Sequence, residues 1–129
     1  MLRGLVAKTP EPLRRELRRR LEAHVEKHWK DRCRRIEIRF HGLYTYVDAY
    51  PIDTWFQEGT TEADKERIRN TPLHLCRIDY IGHPEKWGFA FYKYSDNVYE
   101  VSILPSGAWE DSPEACFDCA ANVYLSGPW

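Results

Sequence analysis

The feature that most constrains this chain is an apolar residue at every fourth position near its start. Leu13, Leu17, Leu21 and Val25 recur at that interval, and Trp29 continues the series. With 3.6 residues per turn, this spacing lays a single apolar stripe along one helix, and such a helix needs a second layer to cover the stripe. Thr9 is placed to cap the helix, with Pro10 as its first residue and Glu11 in its first turn. Arg14, Arg15, Arg18, Arg19, Glu22 and Lys27 fall away from the stripe.

The covering layer is legible as alternation. Ile36, Ile38 and Phe40 alternate with Arg35, Glu37 and Arg39, and His41-Gly42 then reads as a tight turn into Leu43–Ala49. That register pairs Phe40 with Leu43, Ile38 with Thr45 and Ile36 with Val47, all on one side. On the other side it sets Arg39 by Tyr44, Glu37 by Tyr46 and Arg35 by Asp48. Further strands are expected at Leu73–Ile81, Gly88–Tyr94 and Val98–Leu104. A turn at Asp96-Asn97 places Lys93 opposite Glu100 and Tyr94 opposite Tyr99. One side of this second hairpin carries Ala90, Tyr92, Tyr94, Tyr99, Val101 and Ile103. The other carries Phe89, Phe91, Val98, Ser102 and Leu104. Neither side is plainly polar, so the sheet is either covered twice or presents aromatic surface.

Residues 51–72 form a charged, turn-rich connection, expected to be the most mobile part of the chain. It contains Trp55 and Phe56 and a short helix from Thr61 to Ile68, capped by Thr60 or Thr61. A last helix opens at Ser112-Pro113-Glu114 and stops at Ser126-Gly127-Pro128, with Cys116, Cys119, Ala120 and Val123 as its buried side. The predicted fold is a single α+β domain over residues 1–129: an N-terminal helix, five antiparallel strands in hairpins, and a C-terminal helix.

Charge is unevenly spread. Residues 1–40 carry a formal +7 and residues 41–129 a formal -8, within a net charge of -1. Four arginines sit in the first half of helix one, where the macrodipole disfavours cations. Either the acidic part of the chain compensates them or an acidic partner does. No apolar run reaches the length of a membrane span or a signal sequence, so the expected setting is cytoplasmic and the four cysteines are expected to be reduced.

Several groupings can carry chemistry. Cys116 and Cys119 form a CxxC, which is either a redox motif or two small buried residues one helical turn apart. His24 and His28 lie four apart on helix one, and together with Cys116 and Cys119 they have the ligand types of a zinc site. His74, Cys76 and Asp79 share a strand, with His41 and His83 in turns, so a Cys–His pair is conceivable. Asp48, Asp53 and Asp79 are available carboxylates. No phosphate loop, nucleophile elbow or zinc-protease motif is present. Arg14, Arg15, Arg18, Arg19 and Arg20, with Lys27, Lys30, Arg32, Arg34 and Arg35, form the one dense basic cluster, and Tyr44, Tyr46, Tyr92 and Tyr94 are rings on which bases can stack.

From Leu73 onward, the runs Leu-Cys-Arg-Ile-Asp-Tyr-Ile-Gly-His-Pro-Glu-Lys-Trp-Gly-Phe-Ala-Phe-Tyr-Lys-Tyr-Ser-Asp, Tyr-Glu-Val-Ser-Ile-Leu-Pro-Ser-Gly and Ser-Pro-Glu-Ala-Cys-Phe-Asp-Cys-Ala resemble a small uncharacterised bacterial protein family. The resemblance implies a bacterial, intracellular setting and carries over no activity, ligand or site residue.

Two readings of function follow. The first is a non-enzymatic binding or regulatory module that meets a protein or nucleic acid through Arg14, Arg15, Arg18 and Arg19 together with Tyr44, Tyr46, Tyr92 and Tyr94, and needs no cofactor. The second is a small-molecule or metal-dependent site, with enzymatic activity left open. Its ligand residues would be Tyr92, Tyr94, Trp87, His74 and Cys76, or its zinc ligands His24, His28, Cys116 and Cys119.

Overall fold

The leucine ladder folds as expected into α1 (Glu11–His28), which buries Leu17, Leu21 and Val25 and sets Leu13 and Trp29 at the rim of the core. A computed structural model of the chain describes residues 7–52 and 56–125. Asp53, Trp55 and the Ser126-Gly127-Pro128 stop signal lie outside the described residues. The start of α1 differs from expectation. Pro10 is the cap residue, and no side chain caps the helix. Thr9 is buried, and its N–H donates to the Gly42 carbonyl at 3.0 Å, tying the helix entrance to the first hairpin turn.

That hairpin joins β1 (Arg35–His41) to β2 (Tyr44–Tyr50). Its turn is Gly42-Leu43 rather than His41-Gly42. Gly42, at φ +58°, takes the first central position, which is where a II′ turn needs a glycine. His41 therefore stays in the strand opposite Tyr44, and the register moves by two residues: Ile38 faces Val47, Phe40 faces Thr45 and Arg35 faces Tyr50. A two-residue shift leaves every side chain on its expected side.

The remaining elements are α2 (Glu62–Arg69), β3 (Leu73–Tyr80), β4 (Trp87–Lys93), β5 (Val98–Val101), β6 (Glu110–Asp111) and α3 (Pro113–Tyr124). Thr61 caps α2, accepting from the Asp64 N–H at 3.1 Å. Phe56 folds back onto α2, with Lys65 and Arg69 over its ring. The β4–β5 hairpin also moves by two residues, because residues 94–97 together make the turn: Tyr92 faces Tyr99, and Phe91 faces Glu100. The expected Lys93–Glu100 pair survives as a diagonal contact at 3.2 Å, with Asp96 at 3.1 Å. β6 was not anticipated; it pairs with β4 beyond the end of β5.

The architecture is α+β. One antiparallel sheet runs in the order β1-β2-β3-β4-β5, and α1 and α3 pack together against one side of it. Between the layers lie Leu17, Leu21, Ile38, Val47, Ile78, Trp87, Phe89 and Phe117. The stripe of α3 is rotated from expectation. Pro113, Cys116, Phe117, Ala120 and Ala121 are buried, whereas Val123 is 60% exposed and Cys119 half-buried. Phe117, the largest apolar side chain of the helix, turns inward and takes the i, i+3, i+4 pattern with it.

Candidate functional site

The side of the sheet away from the helices is lined by tyrosines from alternate positions on three elements. Tyr46 of β2 reaches Tyr99 of β5 with ring centroids 5.1 Å apart, and Tyr99 meets Tyr92 of β4 at 5.0 Å. Tyr92 meets Tyr94 at 4.6 Å, and Tyr44 closes on Tyr46 at 6.3 Å. All four contacts are edge-to-face, the arrangement the ring quadrupoles favour. Tyr44 and Tyr94, at the two ends of the row, are the most open at 40% and 42% exposure.

A carboxylate and an imidazole sit at the centre. Asp48 is only 2% exposed. Its Oδ1 lies 2.9 Å from His74 Nδ1, and its Oδ2 lies 3.5 Å from the Arg39 guanidinium. The His74 ring rests 4.8 Å from Tyr92. The Tyr94 hydroxyl brackets the same residue, accepting from the His74 N–H at 2.7 Å and donating to its carbonyl at 3.3 Å. Bonding Nδ1 to the carboxylate orients the ring and leaves Nε2 as the atom offered outward, from a side chain that is 38% exposed. Burial raises the Tyr94 and Tyr99 hydroxyls above their ordinary range.

This arrangement depends on a β-bulge. The β2–β3 ladder runs Tyr46↔Arg77, Val47↔Cys76, then Asp48↔His74, so Leu75 is an extra residue between the two registers. Period-two alternation would put His74 and Cys76 on the same side. The bulge separates them. Cys76 is fully buried beneath the helices, with its thiol pushed well up by burial, while His74 faces the tyrosines. Trp87 is likewise a core residue, 1% exposed, with its indole N–H donating to Pro84 O at 3.0 Å. The expected grouping of Tyr92, Tyr94, His74, Cys76 and Trp87 is thus split by the sheet itself, and only the first three share a surface.

Arginines edge the tyrosine row. Arg77 makes two bonds to Asp79, at 2.7 and 2.9 Å, and lies 4.2 Å over the Tyr44 ring. Arg39 lies 5.2 Å over Tyr46, and Arg35 lies 3.9 Å over Tyr50. Gly88, opposite Asp79, leaves space for this pair; a Cβ there would come within 3.3 Å of the Asp79 Cβ.

The basic helix is elsewhere. α1 packs on the other side of the sheet, so its arginines and the tyrosines form two surfaces and not one. Arg14 donates to Gly42 O at 3.2 Å and Arg18 to Ile38 O at 3.3 Å, both with guanidinium groups over Phe40. These two fasten the helix to the first hairpin. Arg19 pairs with Glu16 in its own helix, and Arg15 is exposed. Arg20 makes a two-pronged bond to Glu114 at 2.8 and 2.7 Å and reaches Glu85 at 3.0 Å. The acidic side chains that reach Arg20 from the later part of the chain, Glu114 and Glu85, thus lie on α3 and in the β3–β4 turn.

The four residues with zinc-ligand chemistry also part ways. His24 Nε2 lies 2.7 Å from Asp118 Oδ1, which also accepts from the Trp29 indole at 2.9 Å, and His28 stands beside His24 with ring centroids 4.8 Å apart. Cys116 instead faces the carbonyls of Trp87 and Asp111, with its thiol pushed up to about 12 by burial. Burial raises the Cys119 thiol as well, the opposite of what a redox CxxC requires. Among the described residues, no group of three or more His, Cys, Asp or Glu side chains is placed to hold a metal ion.

The sequence grouped Tyr44, Tyr46, Tyr92 and Tyr94 as one aromatic surface and set His74 with Tyr92 and Tyr94 in a second, alternative site. It passed over Tyr99, Arg39 and Arg77, and left Asp48 unselected among three carboxylates. The alternation that put Tyr99 with Tyr92 was a usable signal; the Asp48–His74 pairing had none, because a bulge creates it. No described helix is long and apolar enough to cross a membrane. Comparison of the chain with protein-family models, with curated proteins and with solved structures finds no match.

Proposed function

We propose that this chain is a non-enzymatic binding module that takes a protein partner on the tyrosine-lined side of its sheet. The carrying observation is the continuous row from Tyr44 to Tyr94 around the buried Asp48 and its His74 partner. Tyrosine and arginine are the side chains that dominate protein–protein hot spots, where rigid rings supply area and a few polar groups fix orientation. The charge balance favours a protein over a nucleic acid. Arg35, Arg39 and Arg77 share the surface with Glu37, Asp48 and Asp79, whereas phosphate binding draws on a surplus of cations. Guanidinium groups already lie over Tyr44 and Tyr46, where bases would stack.

The test uses the chain as bait in three forms: wild type, Tyr44→Ala with Tyr94→Ala, and Arg15→Glu with Arg19→Glu. The tyrosine variant is expected to lose a protein partner at least about tenfold in Kd, while the helix variant keeps it. Loss with the helix variant alone, with capture abolished by nuclease, would overturn this reading in favour of a nucleic acid on α1.

A second reading rests on the His74 Nε2 held outward by Asp48. The pair has the geometry of a hydrogen-bonding or proton-accepting centre for a small ligand. In that case His74→Ala removes small-molecule binding, measured by calorimetry, and leaves protein capture intact.

A further inference from the structure

β5 ends the main sheet order, and among the described residues its outer side has no neighbouring strand. The Ser102 N–H donates inward to Phe89 O at 3.3 Å. Antiparallel hydrogen bonding alternates from residue to residue, so the N–H and C=O groups of Tyr99 and Val101 point outward; Ile103 follows just past the end of β5, where its carbonyl accepts from the Ser102 hydroxyl at 3.3 Å. The alternation holds to the end of the segment: Leu104 is 2% exposed in the core, while Val101 and Ile103 are 55% and 48% exposed. The opposite edge differs. β1 carries Arg35, Glu37 and Arg39, the charges that protect an edge from adding another strand. β5 has no Lys, Arg or Pro.

The segment Tyr99-Glu100-Val101-Ser102-Ile103 has the same chemical pattern in both directions, apolar at its ends and centre with a polar residue in each gap. We infer that two copies of this chain pair antiparallel along this edge, with Val101 on the two-fold axis. Tyr99 then meets Ile103 of the second copy, Val101 meets Val101, and Glu100 meets Ser102. Aromatic and β-branched cross-strand pairs of this kind stabilise antiparallel ladders. A two-fold axis through an antiparallel pair sets one residue opposite itself, and the two registers toward the start of β5 are worse. Centring on Glu100 opposes two carboxylates. Centring on Tyr99 requires Asn97, at φ +56°, to act as extended strand. Val98, 47% exposed at the start of β5, extends its apolar character.

The inference rests on the edge, which shares Tyr99 with the tyrosine row. It is tested on the purified chain without any partner. Sedimentation equilibrium at concentrations up to the order of 100 µM is expected to give the mass of two chains. Val101→Lys, which opposes two ammonium groups on the axis, should weaken association at least about tenfold. Val101→Cys supplies a check that does not depend on that variant. A hydrogen-bonded antiparallel pair holds its Cα atoms about 5.5 Å apart, within disulfide range. Oxidation should therefore link Val101→Cys into a covalent dimer and leave Ser102→Cys unlinked. A single-chain mass throughout, a two-chain mass that survives Val101→Lys, or equal linking of both cysteine variants would overturn the inference.

Discussion

The two sides of the sheet solve different problems with the same strands. Beneath the helices, Val47, Ile78, Phe89 and Trp87 interlock with Leu17, Leu21 and Phe117, and every one of these residues is at most 1% exposed. On the far side, residues one position along carry hydroxyl, guanidinium, carboxylate and imidazole groups. At the centre of that side Asp48 and Ala90 are as buried as core residues, and the Asp48 carboxylate is bonded to His74 and Arg39. Burial and apolarity are therefore separable in this sheet. The helix side is mainly hydrocarbon, with the Thr45 hydroxyl buried in it; the tyrosine side is ordered around the bonded Asp48–His74 pair.

Truncating the helix side should have the largest effect. Phe117→Ala is expected to lower stability by about 3–5 kcal/mol, read by denaturant unfolding, through lost burial and the cavity left behind. Asp48→Ala should cost about 2 kcal/mol, because it leaves His74 and Arg39 without their acceptor. The comparison sharpens with Asp48→Leu combined with His74→Phe, which removes both partners. That variant should recover most of the loss while changing partner binding. If it stays as unstable as Asp48→Ala, the tyrosine side depends on its polar network in a way the packing does not convey.

The seam holding the helix layer together gives a smaller, pH-dependent effect. The Arg20 bond holds the Glu114 carboxyl below its ordinary value. Its contribution is therefore complete above the ordinary carboxylate range and is lost as pH falls through the lowered value. Glu114→Gln should cost about 1 kcal/mol at neutral pH, and the gap to wild type should close below about pH 4 in thermal unfolding. Smallest of all, Tyr44→Ala should shift stability by less than about 0.5 kcal/mol, since the ring is already open to water.

Much of this was legible in the sequence, for physical reasons. Helix one was readable because a four-residue interval admits one periodicity. The sides of both hairpins survived registers misplaced by two residues, because side-chain direction has a period of two and an even error is invisible to it. The rotation of α3 was missed because Cys, Ala and Val gave no clear preference until Phe117 was weighed with them. Asp48 and His74 lie 26 positions apart and face each other only through a tertiary register. The sheet between α1 and the tyrosines was also hidden, since composition shows how many arginines and rings there are and not which layer holds them.

The extra residue in β3 has a consequence beyond placing one imidazole. Leu73 and His74 are written in one phase, and Cys76 through Tyr80 in the other, so no single rigid sliding of β3 along β2 satisfies both. Moving the strand one step to erase the bulge would send His74 into hydrocarbon and bring Leu75 out against the Asp48 carboxylate. The irregularity thus behaves as a keyway: two half-strands cut out of step admit one alignment, and the chain cannot be mis-threaded there without destroying its core and its polar centre together.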